Sequence, residues 1–78
     1  MNDETAPEIT GVTDGKTYYT TQKAIAKDTN LVFVTKNGTD ITPVVTNGTE
    51  VTLGGNVNAT YTVMAADIAE NESSITIT

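Results

Sequence analysis

The side chains with the clearest potential for chemistry are carboxylates placed beside turn signals. Asp28 and Asp67 could meet at one end of the fold with Asp14 or Glu70 and bind calcium, which prefers several oxygen ligands. No Asp-x-Asp-x-Asp spacing accompanies them, and Asp and Asn commonly bond their own backbone in turns. We therefore interpret these acids as turn caps and predict neither a metal site nor a cofactor.

Two lysines offer a second possible chemistry. If Lys23 or Lys27 faced inward near Asn71 of the last predicted hairpin, the amine and the carboxamide could condense into an intramolecular amide bond. An intact mass lower by one ammonia would reveal that bond. The favoured interpretation is that the lysine heads reach water at a sheet edge.

The aromatic residues and the asparagines carry weaker signals. The three tyrosines and Phe33 could form a platform for a sugar ring, but two of these four aromatics are needed for a core. Asn-x-Thr/Ser triplets match the glycosylation pattern, and in a chain with seventeen threonines they are interpreted as turns. They begin at Asn37, Asn47, Asn58 and Asn71.

Catalysis has little support in the composition. The chain contains no histidine, cysteine or arginine, so it offers no activated nucleophile and no oxyanion clamp. Two carboxylates alone could hydrolyse a glycoside, but the acids are spread over predicted turns. We predict that the protein is not an enzyme and has no catalytic or cofactor-binding residues.

The charge balance also limits the partners. Ten acids stand against four lysines, a net charge of −6, so phosphate backbones and anionic membrane surfaces are disfavoured. No apolar run approaches the length of a membrane span, and no cysteine is present to form a disulfide. We expect no nucleic acid, no membrane insertion and a monomer.

The length of 78 residues corresponds to one small domain. Residues 1–7 are polar, contain Pro7 and are predicted to form a linker, and residues 8–78 are predicted to form the domain. The first five residues look like a start placed before a linker. We therefore expect an excised piece of a longer multidomain chain.

The strongest structural pattern lies at the end of the chain. Tyr61, Val63 and Ala65 alternate with more polar residues, and Ile75 and Ile77 repeat the pattern after a polar turn, which predicts the last hairpin of an antiparallel sheet. Further extended segments, separated by turn signals, are predicted at 9–12 with a continuation at 16–19, and at 23–28, 31–36, 40–46 and 50–53. No convincing helix is found. About seven short strands predict a β-sandwich, and an odd number of strands carries the chain from one pole to the other.

Four local features refine this prediction. Asn37-Gly38 predicts a type I′ hairpin turn, and a second Asn-Gly turn lies at 47–48. Pro43 predicts that the return strand 40–46 is an edge or carries a bulge, because proline cannot donate to a ladder. Both faces of 31–36 are apolar, as in a central strand. Residues 54–59 are predicted to be a loop.

In the segment 23–28, either of the two alternating sets of side chains could face the core. Ala24 and Ala26 could face inward, or Ile25 could do so together with the lysines. We favour Ile25, because a core needs its volume filled. The predicted core is Ile9, Val12, Ile25, Leu31, Val34, Val44, Val51, Leu53, Tyr61, Val63, Ala65, Ile75 and Ile77.

Several motifs together resemble the bacterial immunoglobulin-like repeats of Gram-positive surface and secreted proteins. They are Ala6-Pro7-Glu8-Ile9, Gly11-Val12, Asp14-Gly15-Lys16-Thr17-Tyr18, Asp28-Thr29-Asn30-Leu31, Asn37-Gly38 and residues 61–71. The last of these also resembles the penultimate strand of fibronectin type III domains. The resemblance spans nearly the whole chain and implies an all-β, immunoglobulin-like sandwich without a disulfide.

The resemblance also assigns roles to two residues. It implies that the Tyr61 hydroxyl closes a corner by bonding nearby backbone. The family usually has glycine where this chain has Glu70. A left-handed backbone there would cost a non-glycine residue about 1–2 kcal/mol, so either Asn71 takes that role or the hairpin is weaker.

The function that the resemblance implies is structural. We expect a non-catalytic spacer or stalk module of an exported bacterial protein, extracellular or attached to the cell wall, with neighbouring domains of the same chain as its partners. The alternative is an accessory module that binds a polysaccharide or a host protein through polar loops at one pole.

Overall fold

The computed structural model of the protein describes residues 5–54 and 59–78. All regular structure in this part of the chain is β. The strands are β1 (Glu8–Thr10), β2 (Gln22–Lys27), β3 (Leu31–Lys36), β4 (Thr39–Asp40), β5 (Thr49–Leu53), β6 (Tyr61–Asp67) and β7 (Glu72–Ile77). The predicted all-β class is confirmed. Most of the predicted 54–59 loop, and residues 1–4 of the predicted linker, lie outside the described residues.

Two antiparallel sheets form the domain. One has the strand order β1-β2-β5 and the other β4-β3-β6-β7, so consecutive strands cross between sheets three times. This arrangement is an immunoglobulin-like β-sandwich of seven strands without a disulfide. Successive strands reverse direction throughout, so the chain begins at one end of the sandwich and finishes at the other.

We call these two ends the proximal and the distal pole. The proximal pole contains Pro7, the turn 28–30 and the turn 67–72; there the Ser73 hydroxyl donates to the Pro7 carbonyl at 2.6 Å. The distal pole contains Thr78, the turn 37–38 and residues 16–20. The molecule measures 40 × 22 × 19 Å, and its long dimension follows the strands, because four strands side by side span only about 20 Å.

The hairpin of β6 and β7 forms as predicted. Its register pairs Tyr61 with Ile77 and continues without interruption to Ala66 and Glu72. Val63 and Ala65 are fully buried, because alternate side chains of a pleated strand face the opposite sheet. β6 and β3 are the two inner strands of the larger sheet.

The Asn37-Gly38 turn also forms as predicted. Asn37 has φ of 51° and Gly38 has φ of 83°, the positive values that a type I′ turn requires at both central residues. The Asn37 carboxamide oxygen additionally accepts the Thr62 N–H at 2.8 Å, which ties the turn to β6.

The return strand after this turn is much shorter than predicted. Only Thr39 and Asp40 pair with β3, and the ladder ends with the Ile41 N–H donating to the Val34 carbonyl at 2.8 Å. Residues 41–48 then cross to the smaller sheet. Pro43 therefore lies in a crossover and in neither an edge strand nor a bulge. The crossover stays near the core because Ile41 and Val44 pack against it.

The favoured parity of β2 is wrong. Ala24 and Ala26 are fully buried, while Ile25 lies half-buried on the outer face with Lys23 and Lys27. Turning Ile25 inward would gain about 1.5–3 kcal/mol. It would also bury two ammonium groups, and each costs several kcal/mol even after relaxation. The cost of burying the two lysine ammonium groups therefore determines which face of β2 points inward.

The remaining core agrees with the prediction. Seven predicted residues are buried, and five more are partly buried and pack against them. The buried ones are Leu31, Val34, Val51, Leu53, Val63, Ala65 and Ile77, and the partly buried ones are Ile9, Val12, Val44, Tyr61 and Ile75.

The first segment of the chain bridges both sheets. β1 pairs with β2 and ends at Thr10, one residue before Gly11, which has φ of 93° and lies against the Lys23 carbonyl. The chain then moves to the larger sheet, where Gly15, Lys16 and Tyr18 exchange backbone bonds of 2.6–3.1 Å with Thr76 and Thr78. The predicted extended segment 16–19 thus runs alongside β7 in the same direction.

Candidate functional site

Asp67 is the most buried ionisable residue described. It is 2% exposed at the end of β6. Its Oδ1 accepts the N–H groups of Ala69 and Asn71, each at 2.9 Å, and its Oδ2 accepts the Asn71 side-chain amide at 3.0 Å. The carboxylate therefore organises the turn that joins β6 to β7, which is the capping role predicted for it.

Of the other predicted caps, Asp28 and Glu70 share the proximal pole with Asp67, and Asp14 does not. Asp28 lies at the proximal pole, where its Oδ1 accepts the Asn30 N–H at 2.8 Å. Asp14 lies towards the distal pole and accepts the Thr76 N–H at 2.7 Å. Within residues 5–54 and 59–78, no three acidic, histidine or cysteine side chains lie close enough together to hold a metal ion.

Glu70 occupies the left-handed position that the sequence left open. Its φ is 68°, and its N–H donates to the Asp67 carbonyl at 3.1 Å. Asn71 has no positive φ, so it has not taken over that role. It instead holds the Asp67 carboxylate through its backbone and its side-chain amide. The hairpin keeps the glycine-like backbone with a glutamate in place.

The lysines are not positioned for an amide bond with Asn71. Lys23 and Lys27 face outward from β2, and Lys23 Nζ lies 3.4 Å from Glu50 Oε1 in an exposed ion pair. Asn71 belongs to the β6–β7 turn of the other sheet, with its amide directed at Asp67. The interpretation as surface lysines agrees with these positions.

Among the described residues, the tyrosine hydroxyl that bonds backbone is that of Tyr18. The Thr13 N–H donates to the Tyr18 hydroxyl at 2.8 Å, which closes the loop between β1 and the segment beside β7. This bond lowers the pKa of Tyr18, and the Lys16 ammonium, 5.0 Å from the ring centroid, adds to that effect. The only sequence signal near it is the tyrosine pair at 18–19, whose side chains must face opposite ways in an extended segment.

Tyr61 has a different environment. Its ring packs against the core and lies 5.4 Å from Lys36 Nζ, which donates to the Thr52 carbonyl at 2.8 Å. A Cβ on Gly54 would stand 2.9 Å from the Tyr61 hydroxyl oxygen. No hydrogen bond of this hydroxyl is found among the described residues, so the predicted corner bond is not seen there.

The aromatic side chains do not share a surface. Phe33 lies on the outer face of the larger sheet, Tyr61 on its inner face, and Tyr18 and Tyr19 face opposite ways beside Thr78. Tyr19 is 77% exposed. No stacking platform for a sugar forms from these residues.

Two depressions lie near the proximal pole. One is an open polar cleft of about 600 Å³, whose lining includes Lys27, Asp28, Asn30 and Asn47. The other, of about 500 Å³, lies on the outer face of the larger sheet. It is lined by Val32, Phe33, Ala66, Asp67, Ile68, Glu70 and Glu72. The sequence predicted polar loops at one pole but not the second, apolar depression.

The polar groups inside the sandwich are matched. Every buried side-chain nitrogen or oxygen in the described part of the chain has a hydrogen-bond partner. Thr49, for example, is 3% exposed, and its hydroxyl accepts the Val45 N–H at 2.8 Å and donates to the Val45 carbonyl at 2.9 Å. The buried polar residues thus hold turns and crossovers together.

Three of the four glycosylation triplets can be placed. Asn37, Asn47 and Asn71 lie in or beside turns, as interpreted from the sequence, while Asn58 lies outside the described residues. In the same described ranges, no helix has the length and apolar character needed to cross a membrane.

Comparison with known proteins adds no relative: no family model, no curated protein and no solved structure matches this chain. The fold defines the protein as an immunoglobulin-like β-sandwich domain. Proposals about its role therefore rest on its own geometry and residues.

Proposed function

We propose that this domain is a non-catalytic spacer module of an exported bacterial surface protein, similar to bacterial immunoglobulin-like repeats. In this role it separates neighbouring domains of the same chain in the extracellular space or at the cell wall. Its immediate partners are those neighbouring domains. The proposal needs neither a cofactor nor a catalytic group.

The observation that carries the proposal is the path of the chain through the sandwich. Pro7 is bonded to Ser73 at the proximal pole, and Thr78 is bonded to Lys16 and Tyr18 at the distal pole. A domain that receives the chain at one pole and releases it at the other adds its long dimension of 40 Å to a tandem array. Both points are fixed to the sandwich by hydrogen bonds, which supports a constant separation between them.

The surface is consistent with that role. Exposed threonines occur on several strands, among them Thr10, Thr39 and Thr52, and the net charge of −6 opposes nonspecific association of neighbouring modules. The β-branched threonine side chain suits a solvated strand face.

The separation of the two poles can be measured directly. The chain has no cysteine, so the double variant Thr5→Cys and Thr78→Cys accepts two dyes at defined positions. Energy transfer should report a separation close to the long dimension, unchanged when folded domains are fused at both ends. A separation below half of that value would remove the geometric basis of the proposal.

The second candidate is an accessory module that recognises a polysaccharide or a host protein. The polar cleft at the proximal pole favours it, because Asp28, Asn30 and Asn47 present hydrogen-bonding groups around an open space. A ¹⁵N-labelled chain titrated with cell-wall polysaccharides and host matrix proteins separates the two. Saturable shifts confined to 27–30 and 46–47 would establish recognition and overturn the spacer proposal, whereas unchanged spectra agree with a spacer.

A further inference from the structure

Three residues with a carboxylate or carboxamide side chain directly precede a glycine. The pairs are Asp14-Gly15, Asn37-Gly38 and Asn47-Gly48. In such a pair the glycine nitrogen can attack the side-chain carbonyl carbon of the residue before it, because glycine has no side chain to obstruct the approach. Asparagine loses ammonia in this reaction and is one of the thermolabile residues. The attack requires a side chain that is free to turn toward the next peptide nitrogen.

Neighbouring strands hold two of these three pairs. Asp14 Oδ1 accepts the Thr76 N–H of β7 at 2.7 Å, and the Gly15 N–H donates to the Thr76 carbonyl at 2.6 Å. Asn37 Oδ1 accepts the Thr62 N–H of β6 at 2.8 Å, and its amide donates a longer bond of 3.4 Å to the backbone just before that strand. Neither side chain can turn toward its glycine without breaking bonds to a strand.

Asn47 is held much less firmly. It is exposed in the turn 45–48 of the crossover. Within residues 5–54 and 59–78, its carboxamide has no hydrogen-bond partner. The Gly48 N–H donates to the Val45 carbonyl at 3.0 Å, so one backbone bond of an exposed turn must open before the nitrogen can react. Opening of a surface turn requires much less free energy than opening of a core strand.

The two asparagine sites have the same local sequence. Both read Asn-Gly-Thr, at 37–39 and at 47–49. Their intrinsic reactivity, which depends on the residue that follows the asparagine, is therefore equal. Only the fold distinguishes them, since one asparagine is fixed in a tight hairpin and the other is exposed in a crossover.

We propose that Asn47-Gly48 is a self-modification site, at which the folded chain converts asparagine into isoaspartate and aspartate. The Gly48 nitrogen forms a bond to Asn47 Cγ, the Cγ–Nδ2 bond breaks, and ammonia leaves with the proton of the Gly48 nitrogen. Water then opens the resulting five-membered imide. Addition at Cγ gives aspartate, and addition at the main-chain carbonyl carbon gives isoaspartate. The inference goes beyond the proposed function and does not depend on it.

The reaction changes the charge of the proximal pole. Either product adds one negative charge to a chain whose net charge is −6. Asn47 lines the polar cleft, where Glu8 and Asp28 already stand against Lys27. The cleft therefore becomes more acidic and less able to accept an anionic ligand.

Isoaspartate also lengthens the main chain by one carbon atom. The residues on both sides of the site are tied down, because the Asp28 N–H donates to the Thr46 carbonyl and the Thr49 hydroxyl makes two bonds to Val45. The extra atom lies directly before the point where Thr49 of β5 pairs with Ala26 of β2. We expect the isoaspartate form to differ from the parent in the environments of 45–49 and 26–28.

A comparison of the two sites within one full chain tests the proposal. One sample is incubated folded at mildly alkaline pH in ¹⁸O-labelled water, which marks each site that hydrolyses, and a second sample is incubated unfolded in urea. A protease that cleaves after acidic residues separates the two sites, because Asp40 lies between them. Mass spectrometry of the fragments then gives both rates. The rates should be equal in urea. In the folded chain Asn47 should react about tenfold or more faster than Asn37, whose carboxamide bonds must first break.

Asn47→Gln is the matched variant, because it keeps an exposed amide but can form only a larger ring, which closes slowly. Ion exchange should show an acidic form that accumulates in the folded parent and is nearly absent from this variant. The isoaspartate form of the parent, separated and ¹⁵N-labelled, should show shifts confined to 45–49 and 26–28.

Each measurement can contradict the proposal. Equal rates at the two sites of the folded chain, or a faster rate at Asn37, would overturn the assignment of the site. An acidic form that accumulates equally fast in the parent and in Asn47→Gln would overturn it as well. Spectra of the isoaspartate form that match the parent at 26–28 and 45–49 would refute the effect on the crossover.

Discussion

Replacement of Glu70 by glycine should stabilise the domain. Glu70 has φ of 68°, a conformation that costs a residue with a Cβ about 1–2 kcal/mol. Glycine removes that strain but adds chain entropy to the unfolded state, worth about 0.5–1 kcal/mol. The Glu70→Gly variant should therefore be more stable by about 0.75 kcal/mol, the difference between the mid-points of these two effects.

The bonds of the turn support this estimate. The Glu70 N–H donates to the Asp67 carbonyl through the backbone, so glycine retains that bond. For a domain of this size the gain corresponds to an increase in Tm of roughly 2–8 °C. Calorimetry together with urea unfolding measures it, and the slope of the urea transition should not change.

Glu70→Ala is the matched control, because it removes the carboxylate but keeps the Cβ. It should remain within about 0.5 kcal/mol of the parent, as expected for an exposed substitution. If alanine stabilises as much as glycine, the effect comes from charge and the reasoning about backbone strain is refuted. A Glu70→Gly variant that melts below the parent would refute it as well.

Three further variants test other parts of the structure. Asp67→Asn places an amide against the Asn71 amide and should lower the unfolding free energy, measured with urea, by about 1.5–3 kcal/mol. Adding Asn71→Asp should restore most of that stability. Equal losses in the single and double variants would contradict the assigned bonds. Gly11→Ala should destabilise the domain more than Gly15→Ala. Both glycines have positive φ, but only a Cβ at Gly11 meets backbone, at the Lys23 carbonyl. Equal melting temperatures of the two variants would show that this contact relaxes freely. In a pH titration followed by absorbance at 295 nm, Tyr18 should ionise at a lower pH than an ordinary tyrosine. The Tyr18→Phe variant should lack that ionisation step. The pKa of Tyr18 is lower in the folded than in the unfolded protein, so its ionisation stabilises the fold as pH rises through the folded pKa, and this stabilisation is lost as pH falls. The unfolding free energies of the parent and of Tyr18→Phe should therefore diverge across this pH range. If they stay parallel, the lowered pKa of Tyr18 is contradicted.

Local patterns predicted the parts of the fold in which one physical effect dominates. The β6–β7 hairpin follows from alternation, because Val63 and Ala65 face the opposite sheet while Thr62 and Met64 lie half-buried on the other face. The Asn37-Gly38 turn follows from the φ values that these two residues tolerate. In both cases neighbours in sequence are also neighbours in space.

The errors arose where two effects of similar size compete. In β2 the volume of Ile25 argued for one parity and the charges of Lys23 and Lys27 for the other, and the ammonium desolvation is larger. The Tyr18 contact is a different case, because local patterns do not show which hydroxyl reaches a given backbone N–H. Only the folded path of the chain brings the Thr13 N–H to Tyr18.

The exposed apolar residues Val32 and Phe33 on the outer face of β3 could not have been predicted from alternation. Both faces of 31–36 are apolar, and a strand with two apolar faces is normally covered on both. Here the register shift beside Val32 and the small Ala66 leave one face open. Exposure of this kind depends on the partner strand.

The direction of the chain through the sandwich connects the fold to the proposed function. β4 has only two residues and ends near the distal pole. The crossover 41–48 carries the chain the rest of the way to the proximal pole, where the Asp28 N–H donates to the Thr46 carbonyl at 3.2 Å. The seven strands therefore still deliver the chain to the opposite pole. A crossover that stopped short would place β5 at the wrong end and bring both termini together. The crossover 41–48, held by the backbone bonds of Ile41 and Thr46 and by the packing of Ile41 and Val44, therefore sets the chain direction on which the proposed spacer function depends.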